Sequence, residues 1–391
     1  MKSFGSTVFA CYVGYVVQAI VINFLPLLYV RLSGEFGITT DKVTVLITVT
    51  FALQLTIDAL AAGFVDKIGY RRCMVAAHVF AGCGLVLLGV LPYLMKSAYA
   101  GVFLSMLVYS TGSGLIEVLI SPIVEACPTK NKSAHMSLLH SFYCWGLVVT
   151  VLLSTLFFAV FGIDKWRYMA FFWSIVPFVN AVLFSFCPIN TVSEEGNTVP
   201  LNKLFSNKRV WAILVLMACA GAAEVGVAQW ASDFAERGLG VSKTYGDLLG
   251  PCLFAVCMGV ARVLYPLFSG RIELKKALTL SGALCVLSYL LLALSPRPWL
   301  SLVGSALVGL SVGILWPGFV SLGAAQIKEG GTSLFALMAL AGDLGCITGP
   351  ALVGFIGGAA SFKTGFLFGA IFPVILVITL AAFKIKRKDN A

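Results

Sequence analysis

The sequence predicts an all-α integral membrane protein in which twelve transmembrane helices form two six-helix bundles. Of its 391 residues, 59% are hydrophobic and only 11% are charged, whereas an average soluble domain is about a quarter charged. The mean hydropathy is +0.97, which is typical of a chain surrounded by lipid. One long polar interval also divides the apolar runs into two equal sets.

Each apolar run is long enough to cross the hydrocarbon core as a helix, which takes roughly 20 residues. Barrel strands would be about ten residues long and would alternate in polarity, which these runs do not do. We place the twelve spans near 7–30, 43–65, 73–94, 99–126, 134–161, 168–187, 210–232, 245–269, 276–294, 299–325, 332–358 and 364–383.

The polar interval from Cys187 to Arg209 contains few large apolar residues and is typical of a surface linker. It predicts an N-terminal bundle at 1–188, a cytoplasmic linker at 189–208 and a C-terminal bundle at 209–391. The two halves resemble each other, because spans 2 and 8 both run into basic loops. Repeats of this kind predict a solute site between the halves, near the middle of the membrane.

Lysine and arginine are concentrated in the loops that follow the even-numbered spans and in the tail "KIKRKDNA". Because positive loops stay in the cytoplasm, we expect a multi-pass plasma-membrane protein with both termini cytoplasmic. This bias also explains the net charge of +10 without a nucleic-acid surface. The first apolar run is too long for the core of a cleavable signal peptide.

Several function classes lack their sequence signatures. The chain has no phosphate-binding G-x-x-x-x-G-K-[ST] loop, no arginine ladder and no selectivity-filter sequence, which argues against an ATP-driven pump, a voltage sensor and a channel. The eleven cysteines form no C-x-x-C pair and are typical of small apolar helix residues. We therefore expect no enzyme activity, no cofactor and no bound metal.

The segment "GFVDKIGYRR" follows span 2 and resembles the loop 2–3 signature of the major facilitator superfamily. Its matching residues are Gly63, Asp66, Lys67, Gly69, Arg71 and Arg72. The resemblance implies the major facilitator fold, with this loop stabilising one conformation as a gate. Gly69 permits a tight turn, and Asp66 can pair near the two arginines at a helix end. The alternative is a basic loop that only sets topology.

A second resemblance is to the fucose permease-like sugar:proton symporters. It rests on "GLIEVLISP", "HSFYCWG", "EVGVAQW" and "ILWPGFVSLG". It implies that Glu117 lines a sugar cavity from span 4. The chain departs from that group in span 1, where Gln18 and Asn23 are present but the group's aspartate is missing.

Two carboxylates lie near the middle of their spans, where an ionisable group costs at least about 2.5–3.5 kcal/mol. Glu117 is a candidate for binding solute or for carrying a coupling proton. The alternative is a neutral carboxyl group that satisfies the helix backbone before Pro122. Asp343 on span 11 is the corresponding candidate in the second half. Its alternative is a hydrogen bond within a packing face of small residues.

Other polar and aromatic residues within the spans complete the candidate solute site. Sugar sites commonly combine carboxylates and amides with aromatic rings, although tryptophan in membranes more often packs or anchors the interface. The candidates are Gln54, His140, Tyr143, Trp145, Glu224, Gln229, Trp230 and Trp316. Asp58 and Arg262 are further gate candidates. They pair either with each other across the halves or separately within each half.

These residues favour a secondary active transporter of a small polar solute, working by alternating access. Proton-coupled sugar import is the leading interpretation, with H⁺ as the coupling ion, although sodium is not distinguished. We expect a monomer in the lipid bilayer whose partner is a small molecule, a sugar in the leading interpretation, with no nucleic-acid partner. The alternatives are a drug or metabolite exporter (a proton antiporter) of the same superfamily and a non-transporting receptor on the same fold.

Overall fold

The computed structural model describes residues 4–128, 132–190, 204–268, 272–327 and 331–383. Within these ranges, the side chains of 61–63, 66, 125, 132–137, 266–268 and 331–333 lie outside the description. Every regular element in the described ranges is a helix. Twelve helical segments there are long and apolar enough to cross a membrane, which confirms the predicted fold class.

The first six spans are long helices with few interruptions. Span 1 is the exception, because Pro26 cannot donate a backbone hydrogen bond and the chain passes through a 3-10 turn around it. The bounds are Phe4–Asn23, Leu25–Leu28 (the 3-10 turn) and Tyr29–Phe36 for span 1, then Thr40–Ile68, Tyr70–Leu94, Ala98–Glu125, Lys132–Phe161 and Trp166–Phe186 for spans 2 to 6.

The second six spans are less regular, and two π-helical turns lie between spans 7 and 8 and within span 8. Such turns often mark functional positions in helices. Span 7 is Lys208–Ala228, and beyond its end the chain continues through Ala231–Asp233 and the π turn Phe234–Gly238. Span 8 comprises Lys243–Asp247, the π turn Leu248–Cys252 and Leu253–Phe268. Spans 9 to 12 comprise Leu274–Leu294; Pro298–Val312 and Leu315–Gln326; Gly331–Ala359; and Phe362–Gly369 and Ile371–Ala382.

The described chain divides into two compact units. One contains residues 4–190 together with Gln229–Val256, and the other contains residues 204–228 and 257–383. The residues after span 7 and the first part of span 8 therefore pack with the first six spans, although they follow the linker in sequence. The predicted bundle boundaries at 188 and 209 stay a prediction, and most of the predicted linker lies outside the described residues.

The helix that continues span 1 extends beyond its predicted end at 30 and reaches Phe36. Charged residues interrupt the apolar pattern there, but the structure pairs them. Arg31 Nε donates to Glu35 Oε2 at 3.0 Å, and Arg31 Nη1 lies 2.7 Å from Asp164 Oδ1. Glu35 also accepts from the hydroxyl of Tyr93 and from Trp166 Nε1. These bonds connect the ends of spans 1, 3 and 6 within the first unit.

A buried polar group connects the same three spans nearer their other ends. Asn180 Nδ2 donates to Ala10 O at 3.0 Å and lies 2.8 Å from His78 Nε2. His78 Nδ1 lies 2.8 Å from Met74 O. An imidazole with its proton on Nδ1 satisfies both contacts of the ring. His78 therefore serves the packing of the first unit, as its buried position indicates.

Candidate functional site

Glu117, the carboxylate near the middle of span 4, is held by two amide side chains within the first unit. Gln18 Nε2 on span 1 donates to Glu117 Oε2 at 2.8 Å. Gln54 Nε2 on span 2 donates to the same oxygen. Both glutamines are 3% exposed, whereas Glu117 is half-buried. Three residues predicted separately from sequence therefore form one cluster, which we call the Glu117 cluster.

Glycines on spans 1 and 4 allow the three helices to approach one another at this depth. A Cβ at Gly14 of span 1 would clash with the side chain of Ile120 on span 4. A Cβ at Gly114 of span 4 would lie 3.3 Å from Gln54 Cα on span 2. Close helix contact through small residues is typical of membrane proteins. It brings the glutamine side chains within hydrogen-bonding distance of the carboxylate.

The amide oxygens of the Glu117 cluster are unused acceptors within the described part of the chain. Gln18 Oε1 and Gln54 Oε1 are buried and accept no hydrogen bond from any described residue. Each amide donates its NH₂ group to Glu117, so its carbonyl oxygen is directed elsewhere. A buried polar atom of this kind costs about 1–3 kcal/mol unless another donor reaches it. The cluster can therefore accept hydroxyl or amine donors.

Further polar groups of spans 1, 4 and 5 extend this region. Asn23 Nδ2 donates to Ala19 O at 2.9 Å and lies 3.4 Å from the hydroxyl of Tyr143. The ring of His140 lies 5.5 Å from that of Tyr15, centroid to centroid. Tyr15 in turn places its hydroxyl 3.4 Å from Ser121 Oγ. The predicted candidates Asn23, His140 and Tyr143 thus lie where spans 1, 4 and 5 pack together in the first unit.

The aromatic candidates do not share one environment. Trp145 on span 5 is 41% exposed, whereas Trp230 is fully buried with its ring 5.7 Å from that of Tyr29. Gln229 is also buried and accepts a hydrogen bond from the Tyr29 hydroxyl at 3.5 Å. In this conformation Gln229 and Trp230 therefore attach the chain that follows span 7 to span 1.

In the second unit, Glu224 of span 7 lies beside Arg262 of span 8. Arg262 Nη2 is 3.6 Å from Glu224 Oε2, and the two side chains are 14% and 15% exposed. Arg262 Nε also donates to Gly313 O at 3.1 Å, where span 10 is interrupted. Arg262 thus connects spans 7, 8 and 10, and its predicted pairing with Asp58 stays a prediction.

Asp343 of span 11 is 2% exposed and adjoins a helix contact built from small residues. A Cβ at Gly342 would clash with the indole ring of Trp316, which is half-buried. A Cβ at Gly345 would clash with the backbone carbonyl of Ala218 on span 7. Trp316 therefore packs against Gly342, the residue before Asp343, and Gly345 of the same helix packs against span 7.

A family model matches most of this sequence. The model described as Major Facilitator Superfamily matches residues 8–346. The chain belongs to the major facilitator superfamily. With its twelve apolar helices, the chain is a multi-pass membrane protein of the transporter class.

Solved structures of superfamily members share the fold at low sequence identity. A bacterial homologue of the human lysosomal transporter Spinster, in an inward-facing and unoccupied conformation, has a TM-score of 0.72 and 14% identity. The match covers 97% of this chain and 96% of that one. A variant of the Escherichia coli fucose:proton symporter FucP has a TM-score of 0.67 and 15% identity, covering 97% and 99%. A second structure of FucP, in the outward conformation, has a TM-score of 0.67 and 14% identity, covering 96% and 98%.

The superfamily loop after span 2 contacts the end of span 6. Arg71 Nη1 donates to Phe184 O at 3.1 Å and to Ser185 O at 2.8 Å. These carbonyls belong to the last turn of a helix, where backbone acceptors lack helical partners and a cation is favourable. Gly69 has φ of +93°, a conformation that favours glycine. Gly69 therefore forms the predicted turn, whereas the contact of Arg71 with span 6 was not predicted from the sequence.

The other predicted gate residues on spans 2 and 3 differ in exposure. Lys67 and Arg72 are exposed, and Asp58 is half-buried. The packing around Gly63 and the side chain of Asp66 lie outside the described part of the structure, so the role of Gly63 and the pairing of Asp66 with the arginines stay predictions.

Sequence reasoning missed the buried charged residues at the start of span 8. Lys243 and Asp247 form an i,i+4 pair at 2.8 Å, and Asp247 is fully buried. Their signal in the sequence is the i,i+4 spacing of opposite charges. The predicted span 8 begins at 245, which places Lys243 in a loop. Their contacts with spans 1 and 5 depend on tertiary packing.

Proposed function

We propose that this transporter carries a small polyhydroxylated solute, of the sugar class, into the cell together with protons. The observation that carries the proposal is the Glu117 cluster, in which a mid-span carboxylate accepts from two buried amides on other helices. A carboxylate in the interior of a membrane protein is costly and marks solute or ion pathways. The fold similarity to a fucose:proton symporter supports the same class of solute.

The chemistry of the cluster suits hydroxyl groups. Each sugar hydroxyl donates one hydrogen bond and accepts others. The Oε1 atoms of Gln18 and Gln54 provide two buried acceptors. The side chains of Asn23, about one to two turns along span 1 from Gln18, and of Tyr143 provide both donors and acceptors. Because a site built to hydrogen-bond hydroxyls rejects analogues that lack them, the cluster would select polyols over apolar compounds.

Protonation of Glu117 provides a physical route to coupling. An ionised carboxylate only accepts hydrogen bonds, whereas a protonated carboxyl group also donates one. After rotation of an amide, the new donor can reach Oε1 of Gln18 or Gln54. Proton uptake also removes a charge from the membrane interior, which lowers the cost of closing the cavity around it. Proton and solute would then favour the same conformational change.

The remaining parts of the proposal follow from residues outside the cluster. Asp343, 2% exposed, is the candidate coupling group of the second unit. Trp316 is a candidate ring for solute contact beside it. We propose that the protein works by alternating access, as a monomer in the plasma membrane. Both termini would be cytoplasmic, in line with the basic loops that follow the even-numbered spans.

The proposal is tested by uptake of radiolabelled hexoses and pentoses into proteoliposomes, with and without an imposed proton gradient. Wild type should accumulate a sugar only with the gradient. Glu117→Gln, which keeps the size of the side chain but cannot ionise, should lose gradient-driven accumulation. Glu273→Gln removes an exposed carboxylate and should behave like wild type.

Two results would contradict the proposal. Equal gradient-driven uptake by Glu117→Gln and wild type would remove Glu117 from coupling. The absence of uptake of any sugar, together with expulsion of a dye or drug against its gradient, would favour the exporter.

A further inference from the structure

The segment 229–256 is docked on the first six spans through an apolar contact and a polar one. In the apolar contact, Cys252 and Ala255 of span 8 pack in one buried cluster with Ala19 and Leu27 of span 1 and Val151 of span 5. Burial of such side chains favours docking without specifying its register. The specific part of the contact is polar.

Lys243 and Asp247 make the polar contact, with partners on two spans of the first half. Lys243 Nζ donates to Leu27 O in the 3-10 turn of span 1 and to Asp247 Oδ1 at 2.8 Å. Thr155 Oγ1 of span 5 donates to Asp247 Oδ2 at 3.2 Å. Ser232 Oγ of the segment donates to Asp247 Oδ1. We call these five residues the Lys243–Asp247 network.

The network is largely withdrawn from solvent. Asp247 is 0% exposed, Thr155 3% and Ser232 2%, while the side chain of Lys243 is 20% exposed. A buried ion pair is tolerated only when further hydrogen bonds compensate for the lost hydration. Thr155 and Leu27 supply part of that compensation from the first half. If the segment moved away, both charges would lose partners at once, so the network favours a docked state over intermediate positions.

A cavity gives water and small solutes access to this network. It has a volume of about 350 Å³, and its lining includes Thr155, Glu236, Lys243 and Thr244. Water that enters the cavity can reach Lys243 and Thr155, two members of the network. The charges released on undocking would therefore meet solvent rather than hydrocarbon, which keeps the undocked state accessible.

We propose that the Lys243–Asp247 network holds segment 229–256 on spans 1 and 5. We further propose that the transporter opens at the end where Leu27 and Thr155 lie when this network breaks. The inference rests on the proposed alternating access, because only a protein that opens at both ends must release this contact. Lys243, Asp247 and Thr155 are positioning residues in this account. They set how often the end opens and are not solute ligands.

The chain contains a matched control for the charged pair. Arg237 and Asp233 form a second i,i+4 salt bridge on the same segment, with Asp233 buried. Both of its members lie within the segment, whereas Asp247 and Lys243 also reach Thr155 and Leu27 of the first half. Asp233→Asn and Arg237→Met thus remove the same charges as Asp247→Asn and Lys243→Met without removing a bond to spans 1 or 5.

The experiment is hydrogen–deuterium exchange with mass spectrometry on the full chain in lipid nanodiscs. Exchange is followed in peptides that cover 244–256 and 25–36. Asp247→Asn and Lys243→Met should speed exchange in both peptides about tenfold to a hundredfold, the factor expected for losing a hydrogen bond to a charged group. Asp233→Asn and Arg237→Met should leave both peptides close to wild type.

Thr155→Val adds a test that preserves the charges and the size of the side chain. It should speed exchange in 244–256, even though the substitution lies on span 5. Its effect should be smaller in the Asp247→Asn background, because the two residues share one hydrogen bond. This variant also keeps the inference testable if a charge-removing variant does not fold.

The outcomes separate this inference from the proposed function. Equal exchange in the network variants and the control variants, or strictly additive effects of Thr155→Val and Asp247→Asn, would overturn the inference. That result would leave sugar uptake through Glu117 intact. Conversely, if wild type transported no solute but the exchange contrast persisted, the docking role would stand. The proposed function and the opening step would then both be rejected.

Discussion

The half-buried pair Glu224 and Arg262 allows a quantitative test of which residues serve packing and which serve the solute. Glu224 is a solute candidate from its place in an apolar span, but the structure brings it to 3.6 Å from Arg262 Nη2. The perturbation is a double-mutant cycle of Glu224→Gln, Arg262→Met and the double variant. If the pair is structural, the two substitutions must be coupled energetically.

The expected magnitude follows from distance and burial. Coulomb's law with an effective dielectric constant of about 20 gives roughly 4–5 kcal/mol at the 3.6 Å separation. The loss of one partner of a buried pair typically costs about 3–5 kcal/mol. The distance exceeds the usual length of a charge-assisted hydrogen bond. Because the pair is also half-buried, we expect Glu224→Gln to cost about 2–3 kcal/mol, below the range for fully buried pairs.

Arg262→Met should cost more than Glu224→Gln. It also removes the hydrogen bond from Arg262 Nε to Gly313 O, and a bond from a charged donor is worth about 1.5–3 kcal/mol. The double variant leaves no charge behind at this position. It should therefore be more stable than the sum of the single losses predicts, by about 1.5–3 kcal/mol.

The assay is unfolding by sodium dodecyl sulfate in mixed micelles, followed by far-UV circular dichroism. Glu273→Gln, which removes an exposed carboxylate, controls for net charge. Additive losses in the cycle would refute the structural pairing. A rise in the KM for solute with Glu224→Gln, without loss of stability, would return Glu224 to the solute site.

Two further predictions concern packing and protonation. Gly345→Ala should destabilise the protein by about 1–3 kcal/mol, because its Cβ would meet the carbonyl of Ala218. The control is Gly34→Ala, because a Cβ at Gly34 would have no atom within 4 Å. It should leave the melting temperature unchanged or slightly higher. Equal melting temperatures for Gly345→Ala and Gly34→Ala would contradict the packing argument. Between spans 7 and 8, outside the spanning helices, burial raises the pKa of Asp233 and of Glu236, although nearby cations oppose the shift. The folded chain then holds protons that the unfolded chain has released, so this contribution to stability is present at low pH and is lost as pH rises through the raised pKa. Between about pH 4 and pH 7, the melting temperature of wild type should therefore fall relative to that of the Asp233→Asn/Glu236→Gln variant, and a constant difference would rule out the shift.

The sequence predicted the membership of the Glu117 cluster better than its arrangement. A carboxylate or amide inside an apolar run is visible one residue at a time, because hydrocarbon makes each such group costly. Gln18, Gln54 and Glu117 are all identified in this way. The sequence does not show that both glutamines donate to the same oxygen of Glu117. That contact depends on which helices are neighbours and on the glycines that let them approach.

The position of the 229–256 segment shows where sequence reasoning stops. Lys243 and Asp247 lie at the polar edge of an apolar run, where charges are normally solvated and need no explanation. Their burial results from docking on spans 1 and 5, which no local pattern encodes. Trp230 is ambiguous for a related reason, because a tryptophan suits a solute cavity, a membrane interface or a packed core equally well in sequence.

The docking of this segment also bears on how the chain is assembled during synthesis. The first six spans leave the ribosome before Gln229–Val256, yet these later residues belong to the first compact unit. Asp247 bonds to Thr155 and Lys243 bonds to Leu27, so each of these hydrogen bonds joins a residue made early to a residue made late in translation. The N-terminal half completes its own packing only when the C-terminal half begins to enter the membrane. A truncated N-terminal half would accordingly leave uncovered the surface of spans 1 and 5 on which Cys252 and Ala255 pack in the full chain.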